Sequence, residues 1–380
     1  MLKDIGINAA IAQTHILIIG VGHYPYLQGG SQEKQQLDGL NGLKQLTSTV
    51  ESAIGLFNTA MELHRKSAWI KPLGSVDLLI SRPLPGETGF DPPTHRNIQR
   101  AYFDWKTRCE KNEDNTAIFF FAGHGMERGN HLLLLEDFGE IPANPWSGAF
   151  ELDRTRLAFQ RANVNTQCFF IDSCREVNSV LTRFDVVVAP FEMPNIRASE
   201  CQFDLTIKGT ARNLSAYGLQ NQVSFFTQSL IKALEGYASV DQGDGDWIVD
   251  MSSISSQITP IMKLINEEQA FEQRFVKGGT DSADLIKLPH PPKALLRVSC
   301  NPEGALPLAG LNCTPWDENN STWADDKAVS RDAKSTPWDV ELEAGRYMLA
   351  AKFNKTYKPA SKPGFVRPPF TKETIKCQPL

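Results

Sequence analysis

The stretch AIFFFAGHG, residues 117–125, decides the fold because a short apolar run leads straight into a histidine flanked by glycines. An apolar run of this length, without alternating polar residues, is typical of a strand that is covered on both faces. His124 then leaves the strand at its carboxyl end, where open α/β sheets build their sites. The stretch therefore predicts an α/β fold with a candidate site at His124.

Four more apolar runs have the same character: ILIIGV (16–21), VDLLI (76–80), QCFFID (167–172) and FDVVVA (184–189). Helical patterns lie between and after the runs, over residues 47–63, beyond Thr94, and over 151–163, 223–236 and 252–267. Thr94 is a candidate N-cap, and Ser48 with Glu51 has the spacing of a capping box. Alternating strands and helices predict βαβ crossovers and a mostly parallel sheet flanked by helices.

A change of pattern divides the chain near residue 290. The segment KLPHPPKAL (287–295) holds three prolines in nine residues, which is typical of a stiff linker. Beyond it, WDVELEAGRYMLAAKF (338–353) is strand-like and lacks helical periodicity. We predict a first domain over 1–288, a linker over 289–293 and a small β-sandwich of the immunoglobulin or transthyretin type over 294–380.

Composition narrows the classes of partner. The 380 residues are 41% hydrophobic and 22% charged with a net charge of -5, so no basic face is expected for nucleic acid or an anionic membrane. The apolar runs are strand-sized and too short to span a bilayer. Seven cysteines without metal-ligand spacing favour a reduced, cytoplasmic setting with no metal and no cofactor.

Cys174 is the candidate catalytic partner of His124. It follows FFID (169–172), another strand-like run, so it too is expected at a carboxyl strand end. A lone cysteine there is usually a small buried side chain. An imidazole within reach changes that interpretation because it can take the thiol proton and leave a nucleophilic thiolate. His124 precedes Cys174 by 50 residues, close to the spacing of caspase-type proteases.

At this point the sequence resembles a caspase-like peptidase of the caspase and metacaspase clan, of the bacterial type. The resemblance covers residues 14–266 and depends on five pieces in order: ILIIGVGHYPYL, PTHRNIQRAYFDW, FFFAGHG, FFIDSC and FFTQSLIKAL. It implies that Cys174 is the nucleophile and His124 the general base and acid. It also implies an oxyanion hole formed by the backbone N–H groups of Gly125 and Cys174.

The resemblance further implies an S1 pocket, the site for the residue before the cleaved bond (P1). Asp172 matches the acidic residue at the base of that pocket, which favours Arg or Lys at P1. His23 and Tyr24 stand in a loop that lines the cleft in the family, so they are expected either to form its walls or simply to pack. Ser52 occupies the place of a second acid, and Arg175 follows the nucleophile, so an acidic P1 residue is the alternative. Asp172 has a structural alternative as well, as a cap of the following helix.

The predicted function is a cysteine endopeptidase that acts on protein or peptide substrates through an acyl-enzyme. Residues 190–222 are predicted to form a long loop of the kind that latent proteases cut on activation, with Arg197, Lys208 and Arg212 as candidate self-cleavage sites. A partner protein or ligand is another candidate activator. The alternative is a catalytically silent binding or scaffold protein. Resemblance to bacterial members places stress, cell-death or antiviral defence among the expected settings.

Overall fold

A computed structural model of the chain describes residues 2–37, 39–40, 42–82, 91–173, 187–195, 200–210, 221–243, 245–266, 274–318 and 320–380. The chain folds as two compact units, one of residues 1–231 with 250–286 and the other of residues 232–249 with 287–380. The second change of unit, at 286–287, falls close to the Pro-rich segment. Residues 232–249, which the sequence places in the first domain, belong to the second unit.

The larger unit is built on a central sheet of seven strands and a smaller sheet of three strands. Its strands are β1 (Leu2–Asp4), β2 (Thr14–Gly20), β3 (Leu73–Ile80), β4 (Thr116–Gly123), β5 (Gly125–Arg128), β6 (Asn130–Leu134), β7 (Ala149–Glu151), β8 (Thr166–Ser173), β9 (Phe203–Thr210) and β12 (Arg274–Gly279). Seven of them form the central sheet in the order β1-β3-β2-β4-β8-β9-β12. The inner strands are parallel, and β1 and β12 are antiparallel edges. The predicted mostly parallel sheet is confirmed.

Helices follow the strands, as the sequence predicts. They are α1 (Ser48–Arg65), α2 (His95–Cys109), α3 (Leu152–Phe159), α4 (Phe225–Lys232) and α5 (Met251–Ile265). Within the described ranges, none of them is long and apolar enough to cross a membrane. Together with the sheet they make the three-layer α/β arrangement expected from alternating strands and helices.

Of the two helix caps predicted from the sequence, one is confirmed and the other is not. The Thr94 hydroxyl accepts the N–H of Asn97 at 3.4 Å, so the predicted cap of α2 is confirmed. The predicted capping box of α1 is wrong because the helix already begins at Ser48 and no side chain caps it. Glu51 instead pairs with Arg82 beyond the end of β3.

Aromatic side chains fix the two central strands against the helices. Phe119 of β4 stacks on Phe169 of β8 with ring centroids 5.2 Å apart. Trp105 of α2 stacks on Phe159 of α3 at 4.6 Å, and Phe159 contacts Phe169 edge-on. These four side chains are buried. Packing of this kind holds the ends of β4 and β8 in one register relative to each other.

Two predictions about the middle of the chain are wrong. Residues 203–210 lie within the segment predicted as a long loop, yet they form β9 and pair with β8. Alternation of Phe203, Leu205 and Ile207 is the signal that predicts this strand. Residues 187–189 of the run FDVVVA are not strand, and Val187 is 85% exposed. Residues 184–186, 196–199 and 211–220 lie outside the described residues.

The second unit is rich in strands. A π-helical turn, Ala233–Tyr237, continues α4, and β10 (Val240–Asp241) pairs with β11 (Trp247–Asp250). After β13 (Asp284–Leu288) come β14 (Lys293–Asn301), β15 (Gly310–Asp317), β16 (Thr322–Trp323), β17 (Val329–Arg331), β18 (Trp338–Glu343), β19 (Gly345–Lys352), β20 (Ala360–Val366) and β21 (Phe370–Lys376). The sheets β18-β14-β21 and β16-β15-β19-β20 share one apolar core. This is the architecture expected of a small β-sandwich.

Candidate active site

The register of β4 and β8 explains the spacing between His124 and Cys174. The two parallel strands pair residue by residue from Thr116 with Thr166 to Gly123 with Ser173, a constant offset of 50. His124 is the residue after Gly123, and Cys174 is the residue after Ser173. The strand that leads to the thiol therefore lies beside the strand that leads to the imidazole. Cys174 itself, with Arg175, lies outside the described residues.

His124 is held at its backbone by a tyrosine. Its N–H donates to the Tyr24 hydroxyl at 2.9 Å, and that hydroxyl donates to the Leu134 carbonyl at 3.2 Å. The two rings also contact each other, with centroids 4.8 Å apart. Tyr24 is 0% exposed, so it has no surface to offer a substrate. Tyr24 is therefore not a wall of the cleft: it packs in the core, which was the other expectation, and its hydroxyl supports the backbone of His124.

The imidazole of His124 is oriented by a backbone carbonyl. Its Nε2 lies 2.7 Å from the carbonyl oxygen of Lys44. Because a carbonyl oxygen only accepts, Nε2 carries the hydrogen and the neutral ring keeps its lone pair on Nδ1. Burial lowers the pKa of His124, and the contact with Lys44 acts against that shift. The half-buried ring is thus set up to accept a proton on Nδ1.

The glycine before His124 is required by close packing. A Cβ on Gly123 would lie 2.8 Å from the ring of Phe121 and 3.1 Å from the Tyr24 hydroxyl. Gly125, on the other side, opens β5, and the carbonyl of His124 accepts the N–H of Leu134 at 3.0 Å. The hairpin thereby holds the turn on both sides of the histidine. The oxyanion role of Gly125 stays a prediction.

Replacing Tyr24 by Phe is expected to lower the free energy of unfolding by about 1–2 kcal/mol, because the N–H of His124 and the carbonyl of Leu134 lose their partner. Peptide cleavage should fall by roughly 3- to 10-fold as His124 loses its support. Tyr102→Phe is the matched control because Tyr102 is also fully buried but lies on α2. Equal cleavage by the two variants, measured together with their thermal unfolding, would count against the role of Tyr24.

Asp172 is buried at the carboxyl end of β8. It is 3% exposed, and its Oδ2 accepts hydrogen bonds from the hydroxyls of Ser224 and Thr227, the latter at 2.7 Å. Burial raises the pKa of Asp172, and the two hydroxyl donors only partly offset that effect. Among the described residues, no hydrogen bond reaches Oδ1. One carboxylate oxygen is thus held in place, and the other is left for a further donor.

Ser52 joins the same group of side chains. Its hydroxyl accepts the N–H of Ser224 at 3.0 Å, and Ser52 is fully buried on α1. Ser224 therefore links Ser52 to Asp172, two residues that the resemblance places in one pocket. Ser224 and Thr227 escaped the sequence analysis. Their signal is the hydroxyl pair at i and i+3 where α4 begins, since the Thr227 N–H donates to the Ser224 hydroxyl at 3.1 Å.

The sequence is similar to proteins of a known family. A family model of the caspase domain matches residues 13–274. The chain belongs to the caspase-domain family of peptidases. An uncharacterized protein, y4kE, from Sinorhizobium fredii (strain NBRC 101917 / NGR234) is 28% identical over 282 residues, which span 69% of this chain and 76% of that protein. The recognition made from the ordered motifs is confirmed.

His23 of this caspase domain has a neighbour that sequence reasoning missed. Its Nδ1 lies 3.8 Å from Oε1 of Glu136, which follows β6. Burial raises the pKa of Glu136 to about 7, although a hydrogen bond from Ser81 lowers it. His23 is half-buried and keeps solvent access, so its expected place in the cleft stays a prediction.

Lys208 does not fit the role of a self-cleavage site in this caspase domain. It lies within β9, is 7% exposed, and its ammonium group donates to Asp153. A peptide bond inside a paired, buried strand is not presented to a protease in an extended loop. The structure therefore does not support cleavage at Lys208. The other two candidates, Arg197 and Arg212, lie outside the described residues.

The remaining six thiols are poor nucleophiles. All six are unpaired, and burial raises the pKa of each. For Cys201, Cys300 and Cys313 the pKa rises to about 12. A thiol with such a pKa is almost wholly protonated at neutral pH, and the protonated form does not attack carbonyl carbon. Among the seven cysteines, only Cys174 is left as a candidate nucleophile.

Proposed function

We propose that the protein is a cysteine endopeptidase in which Cys174 is the nucleophile and His124 the general base and acid. The observation that carries this proposal is the register of β4 and β8, which sets the residues before Cys174 and before His124 side by side. The hydrogen bond from Nε2 of His124 to the Lys44 carbonyl adds support because it leaves Nδ1 as the proton acceptor.

In the proposed reaction the thiol proton of Cys174 passes to Nδ1 of His124, and the thiolate attacks the carbonyl carbon of the scissile bond. The carbonyl oxygen becomes an oxyanion, which the N–H groups of Gly125 and Cys174 stabilise. His124 then returns the proton to the leaving amine, and an acyl-enzyme remains. Water, deprotonated by His124, attacks the acyl carbon and releases the second product and the free thiol.

We further propose that the enzyme prefers Arg or Lys at P1. Asp172 supports this preference because it is a buried carboxylate with hydrogen bonds to one oxygen only among the described residues. A guanidinium or ammonium group can supply the missing donors and compensate the buried charge. Ser52 contributes no second charge, so Asp172 alone would carry the selection. A basic P1 residue also keeps Arg197 and Arg212 as candidate sites of self-processing.

The competing proposal is a caspase fold that binds a peptide without cleaving it. A thiol probe separates the two, because only an activated thiolate reacts fast. For an active enzyme we expect iodoacetamide at pH 7 to label Cys174 at least about 100-fold faster than Cys201, the partly exposed thiol whose pKa is raised to about 12. Mass spectrometry of timed digests gives both rates, and the unfolded chain serves as control. Equal rates in the folded protein favour silent binding.

A further inference from the structure

A buried hydrogen bond reaches the residue directly before the proposed nucleophile. Ser173 is the last residue of β8, and its hydroxyl lies 3.0 Å from Nε2 of His131 on β6. Either atom can donate, and both residues are 0% exposed. The contact places a second histidine beside Ser173, the residue before the proposed nucleophile.

His131 is itself anchored from behind. Its backbone N–H donates to Oδ2 of Asp153 at 2.7 Å, and Oδ1 of Asp153 accepts from the ammonium group of Lys208. Burial raises the pKa of Asp153, but the charge of Lys208 and the hydrogen bonds from Lys208 and His131 together outweigh that effect and leave the pKa lowered. Asp153 is therefore an anion at neutral pH. It also lies in the first turn of α3, where a negative charge is favoured.

The chain of contacts thus joins four elements, since Lys208 is on β9, Asp153 on α3, His131 on β6 and Ser173 on β8. Burying an imidazole and an ammonium group, with a carboxylate that is only partly exposed, is costly compared with apolar side chains of the same volume. What these contacts provide is a well-defined position for Ser173. The peptide unit after Ser173 is rigid, so its direction is set by the ψ angle of Ser173, and a contact that restrains Ser173 restrains that direction. That plane carries the N–H of Cys174.

We propose that His131 is a positioning residue, held by Asp153 and Lys208, that orients Ser173 so that the N–H of Cys174 points at the oxyanion of the reacting carbonyl. This inference rests on the proposed function, since it assigns one donor of the proposed oxyanion hole to a specific support. In this proposal His131 determines the position of an oxyanion donor, whereas His124 transfers the proton.

The test compares peptide hydrolysis with alkylation of the same thiol in His131→Leu. Alkylation by iodoacetamide displaces iodide at a saturated carbon and forms no oxyanion, so it reports the thiolate alone. We expect kcat for peptide hydrolysis to fall by roughly 10- to 100-fold, with KM and the alkylation rate of Cys174 within about 3-fold of wild type. His131→Gln should restore most of kcat, since its amide can still bond the Ser173 hydroxyl.

His15 provides the matched control. It is a buried histidine with Nδ1 2.9 Å from the Ser75 hydroxyl, but it lies near the beginning of β2, at the other end of the strands. His15→Leu removes the same kind of contact and should lower the Tm much as His131→Leu does, while kcat stays near that of wild type. If His131→Leu does not fold, Asp153→Asn replaces it, with an expected fall in kcat of about 3- to 10-fold.

Equal kcat in the two leucine variants would overturn the proposal, and so would alkylation of Cys174 that falls in parallel with kcat. Amide hydrogen exchange tests it even if wild type cleaves no peptide, an outcome that would reject only the proposed function. We expect faster deuterium uptake at Ser173 and Cys174 in His131→Leu but not in His15→Leu. Unchanged uptake in both variants also overturns the proposal.

Discussion

Replacing Cys174 by alanine is expected to lower peptide cleavage by at least about 1000-fold, because removing a catalytic nucleophile leaves only binding and oxyanion stabilisation. The change deletes one sulfur atom, so secondary structure by circular dichroism and the thermal unfolding profile should remain close to those of wild type. Cleavage is measured with fluorogenic peptides that carry Arg at P1. His124→Gln should show a loss of the same order, since the thiol then has no base.

Cys201→Ala is the matched control for this experiment. Cys201 is partly exposed, and its pKa is raised to about 12, so its loss should leave cleavage unchanged. Intact-mass measurement of the same preparations tests self-processing: a cut after Arg197 or Arg212 is expected in wild type and not in Cys174→Ala. Full cleavage by Cys174→Ala, confirmed by its mass, would show that another group performs the reaction.

Replacing Asp172 by Asn is expected to reduce kcat/KM for substrates with Arg at P1 by about 10- to 100-fold, the range for losing a charge-assisted hydrogen bond. Asn keeps a carbonyl oxygen that can accept from Ser224 and Thr227, so the fold of the pocket is preserved. Substrates with citrulline at P1 have the shape of arginine without its charge and should change by less than about 3-fold. The ratio of the two kcat/KM values is the measurement.

The pH dependence of that ratio follows from the burial of Asp172. Burial raises the pKa of this carboxyl, so it takes up a proton at a higher pH than an exposed aspartate does. The preference for Arg over citrulline should therefore be present above this raised pKa and decline as the pH falls through it. In Asp172→Asn the ratio should not depend on pH over the same interval.

The raised pKa of Asp172 also determines how the free energy of unfolding changes with pH. Because the folded-state pKa of Asp172 is raised above its unfolded value, its contribution to the free energy of unfolding is fully present below the unfolded pKa and is lost as pH rises through the folded pKa.

Asp204→Asn is the control for the P1 preference, as Asp204 is a buried carboxyl paired with Arg156 on α3. An unchanged preference for Arg in Asp172→Asn would reject Asp172 as the P1 determinant and favour the acidic P1 alternative that Arg175 suggests.

Much of the fold follows from local sequence. Runs such as AIFFFAG and QCFFID can only be covered on both faces, and the helical patterns between them supply that cover, so a parallel sheet is the arrangement left. Thr94 caps α2 because capping depends on a hydroxyl at one position in the chain. β9 was missed because its polar residues hide a strand whose apolar residues alternate.

Less of the candidate site than of the fold follows from local sequence. The sequence by itself determined that His124 and Cys174 follow strand-like runs 50 residues apart, which is the register offset of β4 and β8. Only the tertiary structure decided that the Lys44 carbonyl orients His124, that Tyr24 is buried beneath it, and that His131 reaches Ser173. A backbone carbonyl carries no side-chain signature, and these contacts join residues 42 to 100 positions apart. Local patterns fix what each strand is, whereas packing between distant elements fixes which atoms meet at its end.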